Sequence, residues 1–318
     1  MEKRMKSFAI WSSNGNEDEL KIDLHINFWN VNIKRKEKDY ILDIGILIKE
    51  LVFETKLFLY IPVELNDDSI SDLGKKISDN EELLNAVFNE YYSIKTIPNS
   101  KFKEISENST PKFLLYSLDF ENKKDCSIEK KFNGTIICFN LNEIMKNKPT
   151  NLSNLYFRFR INLPKSNLLI SSYRSKNIFF ESSLYNIEIF DFRMNEIRNL
   201  NKSLITESIN KLIDINKIHL LIMKSSNDIL TLNSNELKTA RVLEKNLWNE
   251  YVDFNILDKT TIAYHWKIEK YEKYFNILAR FKSPVKNCNL ILKLIIFIFL
   301  IDLLFNFLAN LINFKIFK

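Results

Sequence analysis

The sequence predicts an α+β protein, mostly antiparallel β and sandwich-like, with a few helices and one C-terminal transmembrane helix. Three observations predict it. Apolar and polar residues alternate with period two in many segments; these segments follow one another instead of alternating with helices; and a near-continuous apolar run closes the chain.

Taken in order, Leu20, Ile22, Leu24, Ile26 and Phe28 alternate with Lys21, Asp23, His25 and Asn27, as in a half-buried strand. The parity then passes to Trp29, Val31 and Ile33, which predicts a bulge near Phe28 and Trp29. A polar turn at Lys34–Asp39 leads to extended segments at Tyr40–Ile48 and Leu51–Val63. Asn80–Tyr92 is the first predicted helix, with Ser78 or Asp79 as N-cap and acidic residues in its first turn. Strands are predicted at Lys112–Asp119, Thr135–Leu141, Leu155–Leu163, Asn177–Phe180 and Tyr185–Met194. Lys202–Asp214, Asn235–Tyr251 and Lys270–Phe281 read as helices, and Lys217–Met223, Asp228–Leu232 and Thr260–Glu269 as strands. The turn-rich stretch from Asn142 to Asn154 predicts a boundary between a β-rich part, 1–145, and an α+β part, 146–284, ahead of a transmembrane helix at 288–314.

From Leu290 to Phe314 the chain reads LILKLIIFIFLIDLLFNFLANLINF. As a helix this run is about 37 Å long, enough to cross a hydrocarbon core of about 30 Å. Lys293 lies near one end, where its stem reaches the headgroups. Asp302 falls at the midpoint, where an ionisable group is costly and marks a functional or helix-associating position. Asp302, Asn306, Asn310 and Asn313 share one side of the helix. In lipid such a stripe seeks another helix, a copy of itself or water, so self-association into a homo-oligomer is expected. The alternative is a core helix, or a tail that hides its apolar face in a groove of its own domain.

Basic residues crowd the approach to this run and few follow it, so the large N-terminal region is expected in the cytoplasm, beside an anionic leaflet. The N-terminus carries no sustained apolar run after its basic residues; a tail-anchored, single-pass protein is expected, with the lipid bilayer as a partner. Asn, Ile and Lys enrichment suggests an AT-rich, bacterial genome, hence an inner membrane.

With 318 residues, 46% apolar and 13% aromatic, the chain has ample material for a packed core. A net charge of +6 is weak as a nucleic-acid signal. Cys126, Cys138 and Cys288 lack metal-type spacing and suit reduced thiols. The four glycines are scattered, which excludes a P-loop or dinucleotide fingerprint. No cofactor, no metal and no catalytic residue is indicated, since His25, His219 and His265 are far apart in sequence. Asp23 and His25 share a strand face and could form an acid–base pair, although a solvated strand face also explains them.

The best candidate ligand site is cationic. Arg158 and Arg160 point to one face of LYFRFRINL, and SSYRSK supplies Arg174 and Lys176. If the segments are neighbours, four cations converge, suited to a nucleotide-type ligand; the alternative is an outer sheet face with acidic cross-strand partners such as Glu181 or Glu188. By layout, a cytosolic domain feeding one membrane helix is shared by bacterial membrane-disrupting effectors of stress and antiphage systems and by inert adaptors. The expected function is therefore non-enzymatic: a domain that senses a ligand or cytosolic partner and controls association of the anchor. A membrane-tethered hydrolase or nuclease and a passive scaffold are the alternatives.

Overall fold

The computed structural model describes residues 6–13, 20–30, 40–51, 55–146, 148–164, 168–174, 185–252, 260–269, 273–284 and 288–316. In chain order, the first half comprises β1 (Ala9–Ser12), β2 (Lys21–Trp29), β3 (Tyr40–Lys49), β4 (Lys56–Ile61), β5 (Ile70–Asp72), α1 (Gly74–Ser78), α2 (Glu81–Phe88), β6 (Ser93–Thr96), β7 (Phe102–Glu107), β8 (Thr110–Tyr116), β9 (Cys126–Lys131), β10 (Gly134–Asn140) and α3 (Leu141–Lys146). The second half comprises β11 (Leu155–Leu163), β12 (Ile170–Arg174), β13 (Tyr185–Met194), α4 (Lys202–Ser208), β14 (Ile215–Ser225), β15 (Ile229–Asn233), β16 (Thr239–Val242), α5 (Lys245–Val252), β17 (Thr261–Ile268), β18 (Phe275–Pro284) and α6 (Cys288–Ile316).

A large central sheet has the order β16-β17-β14-β2-β3-β11-β8-β7-β6, with β5 also paired to β11. Its pairs are antiparallel except β14 with β2 and β11 with β8. Two four-stranded sheets, β1-β4-β10-β9 and β12-β13-β18-β15, cover one face. There Ile22, Leu24, Ile26 and Phe28 of β2 join Phe139 of β10 and Phe190 and Phe281 of the other small sheet in one core. Phe28 meets Phe190 at 5.0 Å between ring centroids, and Phe139 meets Phe157 at 4.7 Å. Helices cover the opposite face, where Leu83 and Leu84 of α2 and Trp248, Tyr251 and Val252 of α5 pack with Trp29, Ile41 and Tyr156. The central sheet is thus buried on both sides.

That layering explains the parity change at Trp29. β2 pairs with β3 without interruption from Lys21–Lys49 to Trp29–Ile41, so the expected bulge is absent. Trp29 lies on the face opposite Phe28 and is fully buried because that face is covered too. Other expectations also need correction. The first long helix starts at Glu81, capped by Asn80, whose side chain accepts from the Leu83 N–H, and it stops where Asn89 turns left-handed at φ 56°. Lys202–Asp214 is helical only to Ser208, followed by a short 3-10 turn at Ile209–Lys211. Asn235–Tyr251 divides into strand β16 and helix α5.

The largest correction is Lys270–Phe281, expected as a helix. Phe275, Ile277, Ala279 and Phe281 are buried at alternate positions, and β18 pairs with β13 from Tyr185–Pro284 to Met194–Phe275. Its helix-forming Leu, Ala, Arg and Lys are outweighed by an inward apolar row and a long hydrogen-bonded ladder. Strands on both sides of 142–154 join the same central sheet: β11 pairs with β3 from Leu155–Ile48 to Leu163–Tyr40. The turn expected at 34–39 and the strand at 177–180 lie outside the described residues.

Three residues after β18, α6 runs for 29 residues. No residue from Ile295 to Ile312 is buried, so this apolar run does not hide in a groove of the domain. It is the one described helix long and apolar enough to cross a membrane.

Candidate functional site

Strand alternation puts every second residue of β2, β3, β11, β14 and β17 on the helix-covered face. Register then aligns Lys267, His219, His25, Gly45 and Arg158 in one row across five neighbouring strands. The adjoining row holds His265, Leu221, Asn27, Asp43 and Arg160. A polar seam therefore crosses the sheet beneath α2 and α5.

At the closed end of the seam, Arg158 is fully buried and Arg160 is 5% exposed. Arg160 donates Nε to Asp43 Oδ1 at 2.7 Å and Nη2 to Oδ2 at 3.1 Å, a bidentate fork. Trp29 Nε1 donates to the same carboxylate at 2.8 Å. Arg158 donates Nε to the Tyr251 hydroxyl at 2.7 Å and Nη1 to the Tyr156 hydroxyl at 3.1 Å. With its amide oriented to suit the network, Asn27 accepts from Arg158 Nη2 at 2.9 Å. Burial raises the pKa of both tyrosines, which keeps the hydroxyls neutral. Arg160 thus forks the Asp43 carboxylate, while Arg158 is held by neutral oxygens and is coupled to Asp43 only through space.

Gly45 makes room for this arrangement: a Cβ there would lie 2.1 Å from the Tyr156 hydroxyl and 3.1 Å from Arg158 Nη1. Gly45→Ala is expected to cost about 1–3 kcal/mol by overpacking, read as a lower denaturation midpoint. An unchanged midpoint would show that the hydroxyl can retreat freely.

At the open end, the chain's three histidines come together. His25 and His219 have ring centroids 4.9 Å apart, and His219 Nδ1 lies 3.1 Å from His265 Nε2. That spacing is a hydrogen bond, so one ring donates and the other accepts. Phe88 of α2 and Tyr156 flank His25, at 5.4 and 5.6 Å between centroids. Burial, then the His219 ring and the Arg158 charge, hold His25 well below the usual histidine range. Burial and then the neighbouring His265 lower His219 to about 4. Burial and then Lys267 lower His265 to about 4. All three rings are neutral near pH 7 and poised to take protons only when acid or an anion compensates the charge.

The sequence-predicted residues are distributed as follows. Arg158 and Arg160 do point to one face, but that face is buried under α5 rather than exposed. Arg174 ends β12 in a different sheet, and Lys176 lies outside the described residues. Glu188 pairs with Lys224 and Asn30, and Glu181 lies outside the described residues. Asp23 shares the face of His25, but its carboxylate is taken by Lys49 at 2.7 Å and Asn216 at 2.9 Å. Sequence reasoning missed Asp43, Asn27 and Tyr251 entirely and did not bring His219 and His265 to His25. Their positions on alternating segments were the only signal available. No group of three or more His, Cys, Asp or Glu among the described residues is arranged to hold a metal. Two surface hollows, of about 500 and 770 Å³, lie elsewhere and contain none of the predicted residues.

On α6, Asn306 Nδ2 donates to Asp302 Oδ2 at 3.3 Å, so these two polar groups share one side of the helix. Asn310 is exposed one turn further, and Asn313 follows within the same helix.

No family model and no curated protein matches this chain. Among solved structures it is similar to an M1 zinc metallopeptidase from Deinococcus radiodurans, with TM-score 0.25 and 9% identity over 84% of this chain and 42% of that one. It is also similar to the yeast delta-COP-I mu-homology domain complexed with a Dsl1 peptide, with TM-score 0.20 and 13% identity over 89% and 77% of the two chains. The Danio rerio Fcho1 mu homology domain with bound Eps15 peptide gives TM-score 0.18 and 8% identity over 88% and 81%. Less than half of the peptidase is spanned, and likenesses at these scores carry no functional argument.

Proposed function

We propose that this chain is a single-pass membrane protein whose β-rich domain binds a ligand or a partner and controls self-association of the C-terminal helix. The observation that carries the reading is the exposure of α6: 18 consecutive residues, Ile295–Ile312, without one buried position. In water such a surface is unstable as a monomer, whereas a bilayer satisfies it. Asp302 and Asn306, hydrogen-bonded to each other, then supply the polar contact between copies of the helix. The basic approach to the span favours a cytoplasmic domain. In its sharper form the protein is a bacterial membrane-disrupting effector of stress or antiphage defence: gathered subunits align the stripe of Asp302, Asn306, Asn310 and Asn313 into a leak.

The test is dye permeability and membrane fractionation of bacteria overexpressing the full chain, a truncation after Lys286, or Asp302→Leu. The reading expects dye entry with the full chain alone, and tighter membrane retention of Asp302→Leu because a costly mid-bilayer charge is gone. Dye entry that survives Asp302→Leu removes the stripe from the mechanism. Retention of the full chain without dye entry leaves a tether that localises a partner.

A further inference from the structure

We propose that the three-histidine cluster is a binding site for an oxyanion of the phosphate class. The proposal rests on the reading of the domain as a ligand-binding module and names its site and ligand chemistry.

Three features converge. The first is the gathering itself: His25, His219 and His265, the only histidines in 318 residues, come from three adjacent strands and touch ring to ring. The second is an unused polar edge. Among the described residues His25 has aromatic contacts to Phe88, Tyr156 and His219 but no hydrogen-bond partner, although the residue is only half-buried.

The third is the sign of the surroundings. Lys217 of β14 and Lys267 of β17 neighbour the rings on the same face. Arg241 of β16 pairs opposite Ala263, two residues from His265, and the N–H of Lys238 donates to the His265 carbonyl. From β11, Arg158 closes the row beyond Gly45, bonded to the hydroxyls of Tyr156 and of Tyr251 of α5. The carboxylates present are committed. Asp23 is bound by Lys49 and Asn216, and Glu269 is held by both Lys217 and Lys267, each at 2.7 Å. That last arrangement has both ammonium groups on one carboxylate beside the rings, a position that a competing oxyanion could take. A field of this sign repels a metal cation and attracts a polyanion, while the imidazoles, as donors after protonation, supply directional bonds. Binding would therefore draw protons onto the rings, and affinity would rise as pH falls.

Because the chain has only three histidines, ring-15N-histidine labelling of the full chain in phosphatidylcholine nanodiscs gives three readable imidazoles. Pyrophosphate is the probe, near the ordinary histidine pKa of about 6.5, with potassium chloride at matched ionic strength as control. The expected result is a saturable change in all three signals, titration midpoints displaced upward, and about tenfold weaker binding in Lys267→Ala but not in Lys21→Ala. A second arm replaces pyrophosphate with phosphatidylglycerol in the nanodisc. A response there and not to pyrophosphate assigns the phosphate to a lipid headgroup; the reverse assigns it to a soluble ligand. Signals that move equally with chloride, that move with neither phosphate source, or that respond saturably to zinc chloride without competition by pyrophosphate would overturn the proposal. None of these outcomes depends on dye entry, so failure here is distinct from failure of the membrane reading.

Discussion

Asp43→Asn is expected to lower folding stability by about 3–5 kcal/mol. The carboxylate takes two bonds from Arg160 and one from Trp29 Nε1 in a site that admits no water-exposed surface of Asp43. An amide in its place presents a donor to donors, leaves Arg160 buried without its carboxylate and removes the negative charge nearest Arg158. A buried pair is weak grounds for stability as a whole, yet removing one partner is severe because the other charge is left behind. The exposed pair Lys21–Glu50, at 3.2 Å, is the comparison: Glu50→Gln should cost within about 1 kcal/mol. Chemical denaturation of the full chain in detergent measures both. Equal losses would mean that the seam is hydrated and Asp43 dispensable. Asp43→Leu with Arg160→Met should recover part of the loss.

Acidification is expected to destabilise the domain most steeply between about pH 6.5 and pH 4. His219 and His265 are lowered to about 4 in the folded chain, and His25 is also lowered, while unfolded histidines titrate near 6.5. In that interval the unfolded chain binds more protons, so stability rises with pH and is fully present above 6.5. One such depression corresponds to about 3 kcal/mol, and water reaching the partly exposed rings reduces it, so a total on the order of 2–4 kcal/mol is expected from His219 and His265 together. Asp72 acts in the opposite sense. Burial raises it to about 6, so its contribution falls as pH rises through that range. Comparing the chain with His219→Gln/His265→Gln isolates the histidines: the variant should show a flatter stability profile between pH 4 and 6.5. An equally steep profile would place the acid sensitivity elsewhere.

Much of the fold was legible from period. β11, from Leu155 to Leu163, and β13, from Tyr185 to Met194, end where alternation ends, and the apolar terminal run is helical and unburied. Period does not report the environment of the second face. LYFRFRINL alternates as an exposed strand would, and nothing in it reveals that α5, some ninety positions later, covers its arginines. Pairing is equally hidden. His25, His219 and His265 each sit on an extended segment, but only the parallel register of β14 on β2 and the antiparallel register of β17 on β14 bring them together. Local composition misled where the ladder overruled it, as in β18, whose Leu, Ala, Arg and Lys favour a helix. Short strands such as β5, β6 and β12 carry too few residues for a period to emerge.

If copies of the chain assemble through α6 as proposed, the junction between β18 and α6 sets a geometric limit. β18 lies between β13 and β15 and is hydrogen-bonded on both sides as far as Lys282, so lengthening the connection would break ladder bonds. Three residues join it to the helix, a leash of about 15 Å at full stretch. A folded region of this size is about 50 Å across, whereas packed helices stand 8–10 Å apart. In such an assembly the subunits would radiate like petals from a common stalk, their strand ends turned inward. Two to four petals fit within the leash. A ring of about eight or more would leave a central gap too wide for the helices to meet, so the proposed self-association would be limited to small numbers of copies.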